Sequence, residues 1–277
     1  MRFKNLIEGR TASQTEEHIL ILSWLKRYGY HHCSISEDGV VNSPTSIDLT
    51  SMNLDLSTLG DKDDLSFASD LGMPQYTSAG AGNKLPRFGT IKGSFDAGSL
   101  GIKTLKGWFP HEIEGNCTLS GNALTSLEGG PKIVNGKFDV GGNHLTTFKG
   151  SPKIVGSYGA IGNKLSSFEG ISSQISLMLD IRNNDFETLK DIHKYVKRLD
   201  GFIALSGNPI KSHVLGLLLI KDLSGISVDR KEAPWGLIVN KHLITAAKSG
   251  YGNDNSDNLI DCQHELIEAG YEELAQI

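Results

Sequence analysis

A unit of about 21 residues occurs almost three times in succession between Cys117 and Gly170, and this self-similarity restricts the fold more than any other feature. In each copy, two apolar residues alternate with polar ones, an asparagine follows, and two further apolar positions precede a glycine. Because one unit is too small to bury its own apolar side, successive units are expected to stack into a solenoid. The asparagines recur at spacings of 21, 20, 21 and 24 residues: Asn122, Asn143, Asn163, Asn184 and Asn208.

Each part of the unit has a structural interpretation. The alternation of Phe138 and Val140 with polar neighbours predicts a short strand with one buried face. The asparagine is expected to turn the chain inward and to bond backbone groups that the turn leaves unpaired. This pattern is that of a leucine-rich repeat. It predicts an α/β fold, a leucine-rich-repeat solenoid with short parallel strands and about 20–22 residues in each rung.

Outside the regular section, the sequence predicts a cap at each end. Residues 1–45 are interpreted as a helix plus hairpin cap, from a helical apolar pattern followed by a turn signal. The solenoid is predicted over residues 46–210, with an irregular insert near residues 60–81. Residues 211–277 have helical apolar spacing and are interpreted as a helical carboxy-terminal cap or a small docked domain.

Composition argues against several classes of function. A net charge of −5 does not suit a general nucleic-acid binder, because phosphate binding requires clustered cations and no segment of the sequence is a basic stripe. The longest apolar run, residues 214–220, is far shorter than the ~20 residues that cross a bilayer, and the amino terminus lacks a signal-peptide pattern. The three cysteines form neither a disulfide framework nor a zinc pattern. We therefore expect no cofactor, no metal, no nucleic-acid partner and no membrane partner.

Catalytic signatures are also missing from the sequence. It contains no nucleophile elbow and no local Ser/His/Asp signature, and we predict a non-catalytic protein. An alternative is an enzyme activity in the carboxy-terminal region, which supplies reactive groups without a known pattern. These groups are Lys241, His242, Cys262, His264 and Glu265.

The outward strand positions are predicted to line the concave face, where solenoids usually bind partners. One column carries an aspartate on every second rung, so its carboxylates would stand about 10 Å apart, too far for a shared-proton pair. Charged groups mixed with scattered apolar ones suit protein recognition. The predicted binding residues are Asp96, Thr118, Lys137, Asp139, Ile161, Met178, Asp180, Arg182 and Phe202.

Two strings within the repeats carry a resemblance to a known family. Ser126-Leu-Glu-Gly-Gly-Pro-Lys-Ile-Val and Phe138-Asp-Val-Gly-Gly-Asn resemble the repeat of leucine-rich-repeat proteins of large tailed bacteriophages. The resemblance implies a protein of the host cytoplasm or the virion that acts through protein contacts. It would be either a minor, head-associated virion component or an early protein that binds a host factor, so that its partner is a phage structural protein or a host protein.

The resemblance bears on the amino terminus as well. Leu6-Ile7-Glu8-Gly9 is similar to the sites that head-maturation proteases of such phages cut, after Leu-x-Glu or Ile-x-Glu. It implies cleavage between Glu8 and Gly9 in a packaged protein. The alternative is a chance match in an ordinary amino-terminal segment.

Overall fold

The computed structural model describes residues 12–52, 54, 56, 85–229, 233–249 and 256–277. The protein has a mixed α/β fold built on a parallel β-solenoid of about six turns, with a few helices. The predicted insert near residues 60–81 and the pair Glu8 and Gly9 lie outside the described residues.

The described strands join into one sheet. They are β1 (Ser34–Ile35), β2 (Val40–Ser43), β3 (Ile47–Asp48), β4 (Arg87–Ile91), β5 (Phe95–Asp96), β6 (Glu112–Ile113), β7 (Cys117–Thr118), β8 (Ile133–Asp139), β9 (Ile154–Gly159), β10 (Gln174–Asp180), β11 (Arg198–Ala204) and β12 (Lys221–Ser227). The helices are α1 (Ala12–Arg27), α2 (Ile192–Tyr195), α3 (Trp235–Ser249) and α4 (Ser256–Glu268), with 3₁₀ segments at Thr50–Met52 and Leu215–Leu219.

The strand order follows the chain, as stacked units require. The sheet runs β1-β2-β4-β6-β8-β9-β10-β11-β12. The short strands β3, β5 and β7 follow β2, β4 and β6 along the chain, pair with one another in that order, and join the sheet where β7 pairs with β8. Strands β1 and β2 pair antiparallel, whereas each later strand pairs in parallel with its predecessor. Because a parallel neighbour must be reached by a crossover, each complete rung strand, whether continuous or divided into two short strands, is followed by a return segment on the other side of the core.

The inward strand residues stack into one apolar interior. Phe138 and Tyr158 are register partners, and their rings meet edge to face with centroids 5.3 Å apart. The buried Tyr158 hydroxyl lies 2.8 Å from the hydroxyl of Ser151, which satisfies its hydrogen-bonding capacity within the core. Burial raises the pKa of Tyr158 well above its ordinary value, so this side chain stays neutral.

A ladder of buried asparagine amides connects successive rungs. The Asn143 side chain donates to the carbonyls of Leu119, in the preceding rung, and Val140, in its own rung, both at 3.0 Å, and accepts from the Leu124 N–H at 3.0 Å. The Val140 carbonyl also accepts from Asn163 at 3.0 Å, so neighbouring amides share acceptors. This asparagine ladder, which bonds backbone in both rungs at every step, consists of Asn122, Asn143, Asn163, Asn184 and Asn208.

Glycines allow the return segments to stack closely. Gly150 has a φ of +95°, in the left-handed region that disfavours other residues. A Cβ built on Gly150 would lie 2.2 Å from the carbonyl carbon of Leu127 in the preceding rung. The equivalent glycines also have a positive φ, and they are Gly107, Gly129 and Gly170.

The residue before each of these glycines alternates in charge along the solenoid. Glu128 contacts the amines of Lys106 at 2.8 Å and Lys149 at 2.9 Å. The hydrogen bonds from these two lysines lower the pKa of Glu128 to about 2. Glu169 occupies the same position in the next rung, so the charges continue to alternate.

We expect Glu128 to contribute to stability in a pH-dependent way. Because its pKa in the folded protein lies below the ordinary value of 4.5, its contribution is present above pH 4.5 and is lost as the pH falls toward 2. The urea midpoints of the wild type and Glu128→Gln should differ at neutral pH and converge at acidic pH, and salt should reduce the difference, since the group is exposed. A difference that does not change with pH would contradict this origin.

The sheet continues past residue 210, where the sequence predicted the end of the solenoid. Strand β12 pairs in parallel with β11, with Ile226 opposite Ile203. The Asn240 amide of α3 covers its outer edge, donating to the Ile226 carbonyl at 2.9 Å and accepting from the Ile226 N–H at 2.7 Å. The sequence predicts a short strand at residues 226–228 but assigns it to the carboxy-terminal cap, because Lys231 stands where the repeat has its asparagine.

Helix α1 lies at the opposite end of the solenoid. Its buried His18 ring contacts the Ser36 carbonyl of the β1–β2 hairpin at 2.8 Å, and Trp24 meets Phe88 of β4 edge-on with ring centroids 6.0 Å apart. These contacts attach the helix to the first strands.

Candidate functional site

The outward positions of the strands form a continuous surface, here called the strand face. The register places the predicted aspartates in one column, on alternate strands from β5 to β10. Asp48 of β3 pairs with Asp96 and lengthens the column; sequence reasoning missed it because the predicted insert separates the two in sequence. The complete column is Asp48, Asp96, Thr118, Asp139, Gly159, Asp180, Ala204 and Ser227.

Two of these aspartates pair with a cation from their own strand segment. The Lys137 amine lies 2.6 Å from Asp139. Arg182 donates to both oxygens of Asp180, from Nε at 2.9 Å and from Nη2 at 2.7 Å, and this bidentate pairing raises the pKa of Arg182. Backbone N–H groups also donate to each carboxylate, so the aspartates shape the strand face through contacts already made within the chain.

Leu177 is the most exposed large hydrophobic residue in the described part of the chain, with 64% of its surface accessible. It stands two residues before the inward residue of β10, where five other rungs carry glycine. A Cβ built on Gly136 would lie 2.7 Å from the carbonyl oxygen of Gly115, and one built on Gly201 would lie 1.7 Å from the carbonyl oxygen of Leu177. The glycines are Gly93, Gly115, Gly136, Gly156 and Gly201.

Leu177 forms part of an apolar patch with Met178 and Phe202. Met178 and Phe202 are register partners on β10 and β11, and Phe202 is 42% exposed. The Asp180–Arg182 pair follows Met178 on one side, and a second ion pair, between Arg198 and Asp222 at 2.7 Å, lies toward the start of the strands. An apolar centre with a charged border is the usual arrangement of a protein contact surface.

Sequence reasoning named Met178 and Phe202 but missed Leu177. The pairing of β10 with β9 shifts register between Ile175 and Met178, because β10 has one residue more over this stretch. Ile161, also predicted, is partly buried next to Arg182 in the adjacent outward column, as the backbone bonds of Gly142 and Gly162 show. Ile161, Arg182 and the aspartate column therefore lie on the same face as the apolar patch.

The carboxy-terminal reactive groups are partly brought together. The His242 ring lies 2.9 Å from the Asn258 side-chain oxygen and 3.0 Å from Glu265, which also contacts the Lys241 amine at 2.7 Å. These bonds join α3 to α4, and the contacts with Lys241 and His242 lower the pKa of Glu265.

Cys262 and His264 do not complete a reactive site in this cluster. Cys262 is fully buried, and burial raises the pKa of its thiol to about 12, which keeps it protonated and weakly nucleophilic. His264 is exposed on α4. The geometry therefore fits a contact between two helices rather than an activated nucleophile.

Within the ranges that the structure describes, no three His, Cys, Asp or Glu side chains are grouped to hold a metal ion. No helix in those ranges combines the length and the apolar composition that crossing a bilayer requires. Comparisons with protein-family models, curated proteins and solved structures gave no match to this chain.

Proposed function

We propose that the chain is a non-catalytic leucine-rich-repeat protein that binds another protein through its strand face. The repeat spacing, the parallel rungs and the asparagine ladder support the leucine-rich-repeat assignment. In this proposal, α1 with the β1–β2 hairpin forms one cap, and α3 with α4 forms the other, since a solenoid needs its terminal apolar faces covered.

The observation that carries the binding proposal is the position of Leu177. The glycine column allows close stacking in five other rungs, and β10 departs from it with an exposed leucine. Departures from a local structural rule are expected where function requires them. Together with Met178 and Phe202, this side chain provides the apolar anchor that protein interfaces concentrate at their centre.

We expect the double variant Leu177→Ser/Phe202→Ser to lose partner capture by about tenfold or more, with little change in thermal stability, because both side chains project from the surface. The bait is the full chain, and the source is a lysate of bacteria infected by a large tailed phage. Leu237→Ser on α3, a residue 59% exposed, is the matched control and should capture the same protein as the wild type. Equal capture by the double variant would contradict the choice of surface.

The phage resemblance leaves two kinds of partner for this surface. A minor virion component would be present in purified particles, and its amino terminus in particles would begin at Gly9 if Glu8-Gly9 is processed. An early protein would be present only in infected cells, bound to a host protein. Mass spectrometry of particles and of infected cells separates the two.

A further inference from the structure

Lysines that are far apart in sequence lie in one column at the start of the strands. The Lys153 N–H donates to the Lys132 carbonyl at 3.1 Å, and the Lys132 N–H donates to the His111 carbonyl at 2.7 Å. The Lys197 N–H donates to the Ser173 carbonyl at 3.0 Å, which places Lys197 two rungs beyond Lys153. Since adjacent strands are about 4.8 Å apart, Lys132, Lys153 and Lys197 form a compact row, here called the lysine strip.

The charges of the lysine strip are not compensated locally. All three side chains are exposed, and none forms an ion pair with another residue in the described part of the chain. By contrast, Lys106, Lys137 and Lys149 each contact a carboxylate. In a chain with a net charge of −5, the strip is a local positive region that attracts anionic groups.

Two exposed isoleucines adjoin the strip. Ile133 and Ile154 follow Lys132 and Lys153 directly, are register partners on β8 and β9, and are 39% and 46% exposed. On the other side of Ile133, its register partner is the acidic Glu112 of β6, so the positive surface ends there. An occupant that matches both features must present carboxylates to the lysines and aliphatic groups to the isoleucines.

We propose that the lysine strip, with Ile133 and Ile154, binds an acidic segment of a partner protein that also carries aliphatic side chains. Charge complementarity selects the carboxylates, and the isoleucines favour a peptide over a nucleic acid, because a phosphate backbone would leave their apolar surface uncovered. The inference rests on the proposed function, since it names the chemistry of a protein partner, but it uses different residues from the apolar patch.

The test is a selection of random short peptides displayed against the full-length chain, followed by measurement of their affinity for variants. Strip-dependent peptides are those that bind Lys132→Glu/Lys153→Glu about tenfold more weakly than the wild-type chain. We expect these peptides to be acidic and to contain aliphatic residues. They should also weaken with added salt and with Ile133→Ser/Ile154→Ser. The matched control, Lys26→Glu/Lys164→Glu, makes the same change in net charge at two exposed lysines away from the strip and should change affinity by less than about twofold.

Three results would overturn the inference. The first is that no selected peptide depends on the strip, and the second is that the dependent peptides are not acidic. The third is that single-stranded DNA binds at the strip more tightly than those peptides do, which would assign it to nucleic acid. Leu177→Ser/Phe202→Ser should leave strip-dependent peptides bound, so failure at the strip is distinguishable from failure at the apolar patch. Circular dichroism melting confirms that each variant is folded.

Discussion

Replacing Asn143 with alanine is expected to lower the free energy of unfolding by about 3 kcal/mol, because a buried donor loses its acceptor and several amide bonds disappear. The Leu124 N–H bonds the Asn143 side chain at 3.0 Å and would be left without it. The carbonyl of Leu119 would keep its hydrogen bond from Asn122, and the carbonyl of Val140 would keep its hydrogen bond from Asn163. The expected loss of stability is therefore large, but smaller than if every hydrogen bond to these backbone groups were removed.

Urea unfolding followed by circular dichroism measures this loss. Asn135→Ala is the matched control, since Asn135 is an exposed residue of β8 and the same substitution should change stability by less than about 0.5 kcal/mol. Equal effects of the two substitutions would mean that the asparagine ladder contributes no more than a surface side chain.

Replacing Gly150 with alanine is expected to destabilise the protein by about 4 kcal/mol, the sum of a backbone and a packing term. The backbone term comes from the φ of +95°, which a residue with a Cβ adopts at a cost of about 1–2 kcal/mol. The packing term comes from the return segment of the preceding rung, because the new Cβ would lie 2.2 Å from the Leu127 carbonyl carbon and 2.4 Å from the Glu128 nitrogen. Backbone atoms at these distances can separate only if the two rungs move apart.

Gly270→Ala isolates the backbone term. Gly270 has a φ of +82° after α4, and a Cβ built there meets no atom within 4 Å. Its substitution should therefore cost about 1 kcal/mol, well below that at Gly150. Thermal or urea unfolding of the two variants gives the comparison, and equal losses would show that close stacking of the return segments adds nothing to the requirement for glycine.

The sequence was sufficient to predict which residues share a column. Residues at the same distance from successive asparagines meet in the sheet, so Thr118, Asp139 and Asp180 could be aligned before the strands were seen. The spacing worked because each rung repeats the same path around the core, which makes position within the unit equivalent to position in space.

Other features could not be found in this way. The spacing of 20 residues between Asn143 and Asn163 shows that one rung is a residue shorter, but not that the residue is missing within β9. Alternation at period two from the inward Leu179 would also bury Leu177, whereas the next inward residue is Ile175, four positions before Leu179, and Leu177 is exposed. The lysines of the strip are separated by 21 and 44 residues, so they form no basic segment in the sequence and become neighbours only when the rungs stack.

The asparagine ladder also gives the solenoid a direction of assembly. Each bond that crosses between rungs joins an asparagine of the later rung to backbone of the earlier one, so the Leu145 N–H is satisfied by Asn163 and the Leu165 N–H by Asn184. Each rung is thus closed by the one that follows it, which is the order in which a ribosome releases the chain. At the far edge of the sheet, Asn240 performs the same closure on β12 from a helix.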